Sequence, residues 1–180
     1  MGKKQTQTPA IRMTLNDIED MALVMDGEFD EMGIDFFLDV MTGEIIRDFV
    51  GGRSLDYDSD EELLDALVNE GHDVDMNDIQ VHDMIEKDGA KRYLRIPRVE
   101  PWAGYQDMKD FVDAVTDLPL KARLESAING KGAFRRFKDV LARHQAWEKR
   151  WHAFKRSKQE FRVREWLEKE GYELLVKSGN

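Results

Sequence analysis

The sequence contains no cysteine, which excludes disulfides, thiolate nucleophiles and cysteine-bearing zinc sites from its chemistry. No apolar run approaches the length needed to span a bilayer, and Met1 to Ala10 lack the apolar region of a secretory signal. A cytoplasmic protein is the expectation. Catalytic signatures are missing as well: there is no Gly-x-Ser-x-Gly elbow, no dinucleotide fingerprint after a strand and no HExxH-type spacing among the four histidines. Asp107-Met108-Lys109 has the spacing of a nuclease Asp-x-Lys, a triplet that arises by chance in any highly charged chain. Neither an enzyme nor a cofactor is expected.

The first half of the chain is also poor in positive charge. Between Thr14 and Ala90, 24 Asp and Glu stand against Arg47, Arg53 and Lys87, a local balance of -21. Lys131 to Trp166 reverses the sign, with 12 Lys and Arg against Asp139, Glu148, Glu160 and Glu165, a balance of +8. The formal net charge of -10 therefore hides a segregation, and segregation of this kind reports on partners inside or outside the molecule. The basic helices are expected to lie near the acidic layer, within the molecule or head-to-tail.

Hydrophobic content of 41% and a length of 180 residues suit one compact globular unit. Residues 1–13 read as a disordered tail. Thr14 with Asp17 makes a capping box for a helix carrying Leu15, Ile18, Ala22 and Met25 on one face. Ile34 to Val40 alternates as a half-buried strand, Thr42-Gly43 supplies a turn, and Glu44 to Val50 returns as a second strand. Ser59 with Glu62 caps a short helix ending at Gly71, Ile79 to Glu86 fits helix or strand equally, and Arg92 to Ile96 reads as a third strand stopped by Pro97.

From Pro101 the period becomes helical. One helix carries Tyr105, Met108, Val112 and Val115, and Asp117 caps the next, with Leu120, Leu124 and Ile128. A third starts at Gly132, and Trp147, Trp151 and Phe154 mark a fourth, expected to break or bend at Ser157, where Glu160 completes a further capping box. The fold class is α+β: a small antiparallel sheet, hairpin plus one further strand, with a C-terminal helical bundle packed against it. Its parts are an acidic α+β segment over 14–97 and a helical segment with the basic residues over 98–176.

The candidate site is Gly130 to Leu141. A helix N-terminus beginning in glycine can receive an anion, with Lys131, Gly132, Arg135, Arg136, Lys138 and Arg143 as its candidate anion or partner contacts. The bland alternative is a helix-to-helix turn whose glycines end one helix and join the next, with the basic residues as a solvated face. Gly130-Lys131-Gly132 lies between helices and lacks the spacing of a Walker A loop. Nucleic-acid binding would use the basic helices around 131–164, with Trp147, Trp151 and Phe154 as stacking platforms. Those rings, with Phe134 and Phe137, are instead expected to form the apolar centre.

Metal binding fails on spacing. A calcium loop from Asp73 has Asp78 where glycine is required and Met84 where Glu is required, and Asp56, Asp58 and Asp60 fail alike. His72 and His82, with Asp83, read better as surface residues than as ligands.

Arg92 to Pro97, then Tyr105, Met108 and Phe111, then Gly132-Ala133-Phe134-Arg135-Arg136-Phe137-Lys138-Asp139-Val140-Leu141, then Trp151, Phe154, Arg164, Trp166 and Leu167, resemble the pattern of an uncharacterised bacterial protein family of the UPF kind. The hairpin from Phe37 to Glu44 is similar too, and Arg95 and Arg98 depart from the pattern. The resemblance implies a cytoplasmic bacterial α+β protein and assigns no activity, cofactor or substrate. A non-catalytic protein-interaction or regulatory module, meeting a protein partner or itself, is the expected role, with nucleic-acid or phosphate binding as the alternative.

Overall fold

The computed structural model describes residues 8–27, 34–49, 57 and 59–177. Val50, Asp56, Asp58 and the first part of the expected tail lie outside them. The chain divides into two compact units, Met1–Arg98 with Arg164–Asn180, and Val99–Val163. The class is α+β, with a three-stranded antiparallel sheet, a parallel strand pair and a C-terminal helical region.

In the first unit, strand β1 (Ala10–Met13) pairs in parallel with β5 (Glu173–Val176), Ile11 opposite Leu174. These four N-terminal residues were expected in a disordered tail. Their strand depends on a partner more than 160 positions away, which no local pattern announces. Helix α1 (Leu15–Met25) starts at the capping box read from sequence. Asp17 N-H donates to Thr14 Oγ1 at 3.2 Å and Thr14 N-H to Asp17 Oδ2 at 2.7 Å, and the helix buries Ile18, Met21, Ala22, Val24 and Met25.

Strands β2 (Asp35–Asp39) and β3 (Ile45–Asp48) form the expected hairpin, and β4 (Tyr93–Arg95) joins the other edge of β2, giving the order β3-β2-β4. Leu38 stands opposite both Ile45 and Leu94. The turn needs Gly43: its φ is 80°, and a Cβ there would lie 2.7 Å from the Arg12 carbonyl oxygen. Just before the turn, Asp39 is 3% exposed and receives Arg92 Nε at 3.1 Å, Arg92 Nη2 at 2.8 Å and Met41 N-H at 2.8 Å. Burial pushes the Asp39 carboxyl up, but the Arg92 fork, the Met41 and Thr42 amides and the Arg92 charge together hold it below the usual carboxylate range.

Helix α2 (Asp60–Asn69) is capped by Ser59, which accepts from Glu62 N-H at 3.2 Å. Helix α3 (Met76–Asp88) resolves the stretch that fitted helix or strand. Asp75 accepts from Asn77 and Asp78 N-H, while Asp78 Oδ2 accepts from Asp75 N-H at 3.0 Å. The carboxylates that failed as a calcium loop are thus a helix start, and the Asp78 amide, then Asn77, lower the Asp75 carboxyl.

The second unit holds α4 (Pro101–Ala114), α5 (Leu118–Ala127), α6 (Ala133–Leu141) and residues 145–163 of α7 (Gln145–Lys169). Asp117 caps α5 by accepting from Leu120 N-H at 3.0 Å, as its position before Pro119 suggested. Met108, Phe111, Val112, Leu120, Leu124, Phe137, Leu141 and Trp151 form the core. Phe137 meets Trp151 edge-on at 4.8 Å and Phe111 meets it at 5.2 Å, geometries worth about 0.5 to 1.5 kcal/mol per pair beyond the area buried.

Two sequence expectations fail here. Helix α7 does not break at Ser157. The Ser157 hydroxyl donates to the Phe154 carbonyl oxygen at 2.8 Å, so it bonds back into its own helix instead of capping a new one. Phe134 does not join the apolar centre and is 49% exposed. Ala133, Phe137 and Leu141 take the buried stripe of α6, four residues apart, and Phe134 lies one position beside it with its ring against Gly104, whose Cβ position would be 3.4 Å away.

Candidate functional site

The turn from α5 to α6 is built around one side chain. Ile128 ends α5, Gly130 and Gly132 take φ of 76° and 80°, and α6 begins at Ala133. Carbonyls at the end of a helix and in a tight turn have no backbone donors of their own. Arg136 supplies them. Its Nε donates to Ala127 O at 3.1 Å, its Nη2 to Asn129 O at 2.5 Å and Gly130 O at 3.4 Å, and its Nη1 to Lys131 O. The guanidinium carries a positive charge at the negative end of α5, where the helix dipole favours it.

The other candidate contacts divide accordingly. Gly132 is the N-cap of α6 in the left-handed region, and a Cβ there would lie 3.2 Å from Arg136 Nη1, so the guanidinium stands beside the helix start that was to receive an anion. Arg136, expected to point away from the fold, turns back onto it. Lys131 and Lys138 are exposed. Arg135 is 90% exposed and meets Asp139 at 4.0 Å one turn on, a pair worth at most about 0.5 kcal/mol. Arg143 is exposed just beyond α6.

Arg136, Asp139, Val140 and Arg143 recur at spacings of three and four and form one wall of an open groove of about 610 Å³. Ala122, Arg123, Ser126 and Ala127 of α5 form the other. Sequence reasoning missed Arg123 and Ser126. The signal available was the small side chains at Ala122, Ser126 and Ala127, which leave room between two helices. Neither the Arg123 nor the Arg143 side chain has an ion-pair or hydrogen-bond partner among the described residues.

The aromatic stripe is not a stacking surface. Trp151 is 8% exposed and Phe137 1%, while Trp147 and Phe154 are half-buried against the same core. The cations beside them lie on the rings' outer faces: Arg150 is 4.5 Å from the Trp147 centroid and Lys158 5.4 Å from that of Phe154. Asp107, the acidic member of the nuclease-like triplet, is 5% exposed and bound to Arg162 at 2.5 Å. Lys158 reaches Asp110 at 2.7 Å, and that ammonium, followed by the Gln106 amide, holds the Asp110 carboxyl below the usual range. These pairs fasten α7 to α4.

The histidines in the first unit are half-buried rather than surface residues. His82 Nδ1 is 3.0 Å from Asp48, itself 1% exposed, and His72 stands edge-on to Phe49 at 5.9 Å. Among the described residues no cluster of His, Asp or Glu is arranged to hold a metal ion, and no helix is long and apolar enough to cross a membrane.

The structure thus defines an α+β protein whose helical unit carries a basic, grooved face over a packed aromatic core. Residues 7–178 match the model of an uncharacterised protein family (UPF0158), and the chain belongs to that family. No curated protein and no solved structure matches it.

Proposed function

We propose that this protein is a non-catalytic interaction or regulatory module of the bacterial cytoplasm whose helical unit bears the contact surface for a protein partner. The observation that carries this reading is the interleaving of the basic face with acceptors. Arg136 is engaged by four backbone carbonyls, and Asp139 lies one turn from Arg135 and shares a groove wall with Arg136 and Arg143. A phosphodiester backbone is best met by a contiguous cationic track, with rings free for its bases. Here Asp139 interrupts the cations, Arg136 is engaged by the turn, and Trp151 belongs to the core. Mixed charge around an apolar groove is the pattern of a protein contact.

Two measurements test it. Anisotropy of labelled single- and double-stranded oligonucleotides is expected to show no binding even at low salt. Tight binding with a steep log-log loss on adding salt would transfer the function to nucleic acid. A photo-crosslinking residue at position 138, introduced in cells, is expected to yield a discrete adduct that resists nuclease and dissolves with protease, and the purified polypeptide should then bind in isolation. A nuclease-sensitive adduct sinks the reading.

A further inference from the structure

We propose that the groove between α5 and α6 is the docking site for an acidic polypeptide segment that inserts one apolar side chain between two arginines. The inference rests on the protein-contact reading above and assigns the partner's chemistry.

The apolar and the charged residues of the walls ask for different things. Ala122, Ala127 and Val140 supply small apolar surface, and the groove of about 610 Å³ falls inside the roughly 300 to 1,000 Å³ that ligand sites occupy. A phosphate or a simple carboxylate gains nothing from such apolar surface, whereas a leucine-sized side chain does. Among the charged lining residues, Arg123 comes from α5 and Arg143 from just beyond α6, and neither side chain has an ion-pair or hydrogen-bond partner among the described residues. Guanidinium forks of this kind match carboxylates in two-point geometry.

Asp139 lies on the same wall as Arg143, four positions before it. Its charge penalises a continuous polyanion and favours a segment whose carboxylates are separated by a donor, as the backbone N-H groups of a peptide provide. Arg136 makes that wall rigid, because its side chain is held to the turn by its carbonyl acceptors. A wall held in this way loses little freedom when the groove is filled, and the ordering cost falls on the exposed Arg123 and Arg143 side chains.

The test uses the full chain and fluorescein-labelled twelve-residue peptides with Glu on both sides of a central Leu. Replacing that Leu by Ala should weaken binding about tenfold, the burial of one such side chain. The double variant Arg123→Glu/Arg143→Glu should weaken it at least about tenfold, while Lys91→Glu/Lys149→Glu, an equal charge change at exposed sites outside the groove, should leave it within about twofold. Thermal melts check that the variants fold. Amide shifts on adding the Leu peptide should map to residues 122–127 and 136–143.

Equal affinity for the Leu and Ala peptides, for polyglutamate or for an oligonucleotide would overturn the assignment. So would an unaffected double variant, shifts elsewhere, or no binding at all. If the crosslink at position 138 still captures a polypeptide while the peptide series fails, only the groove assignment falls. A nucleic-acid adduct removes both.

Discussion

Replacing Arg136 separates a side chain that holds a turn from one that waits for a ligand. Of its four carbonyl acceptors, Ala127 O is partly buried and the others are exposed, with Gly130 O at a weak 3.4 Å. A partly buried bond to a charged donor contributes about 1.5 kcal/mol and an exposed one about 0.5. Against their sum stands the freedom lost in ordering an arginine, about 2 kcal/mol at most. Arg136→Ala is therefore expected to destabilise the helical unit by roughly 1 to 2 kcal/mol.

Arg136→Lys separates charge from geometry. It keeps the charge at the end of α5, but a point-like ammonium cannot span acceptors spread from Ala127 to Lys131, so less than about half of the loss should be recovered. Amide exchange reads the effect where it arises: the Ile128 amide, bonded to Leu124 O at 3.0 Å, and the Arg136 amide, bonded to Gly132 O at 3.2 Å, should exchange faster in both variants. If the Lys variant matches the wild type in exchange and in denaturation midpoint, the fork geometry is irrelevant and the structural account of Arg136 is wrong.

In the first unit, Arg92→Ala should cost more in urea unfolding than Asp39→Ala, because it strands a carboxylate that is 3% exposed, whereas the reverse change leaves Arg92, 37% exposed, within reach of water. The folded Asp39 carboxyl is depressed, so its contribution is complete above the unfolded value near 4 and fades as pH falls through the folded one; the deficit of Arg92→Ala should therefore shrink in acid, and a constant deficit across pH would refute the pairing. Gly43→Ala combines positive-φ strain with a backbone clash at the Arg12 carbonyl, and should lower the denaturation midpoint by the equivalent of at least about 2 kcal/mol and speed exchange in β1. Ser157→Ala should change stability by less than about 0.5 kcal/mol, since a residue bonding back within a helix supports little, whereas a loss near 1 kcal/mol would restore the cap read from sequence.

Signals contained in a few adjacent residues were legible. The Thr14 box, the Thr42-Gly43 hairpin, the Ser59 and Asp117 caps and the buried spacing of Phe137 and Leu141 all depend on neighbours within about four positions, where backbone geometry dictates the contact. Features decided by remote partners were not. Ala10–Met13 has no strand without Glu173–Val176, and Ser157 with Glu160 imitates a cap in a helix that the rings before it and Val163 and Leu167 after it hold continuous. The acidic run at Asp73 to Asp78 was read for ligands when its spacing, two residues between Asp75 and Asp78, already spelled a helix start.

The basic knot divides along the same line. Composition groups Arg135, Arg136, Lys138 and Arg143 as one positive face, but the helix distributes them. Position 136 projects toward the carbonyls that α5 leaves open, position 143, just past the end of α6, lines the groove with Val140, and 135 and 138 remain in solvent. Carbonyls engage Arg136 at all three of its nitrogens, so an incoming anion must compete with them there. The arginines available to a partner are therefore the ones that sequence grouping treats unequally: Arg143, at the edge of the knot, and Arg123, which belongs to the preceding helix and becomes its neighbour only when Ala122, Ser126 and Ala127 leave a space between the two.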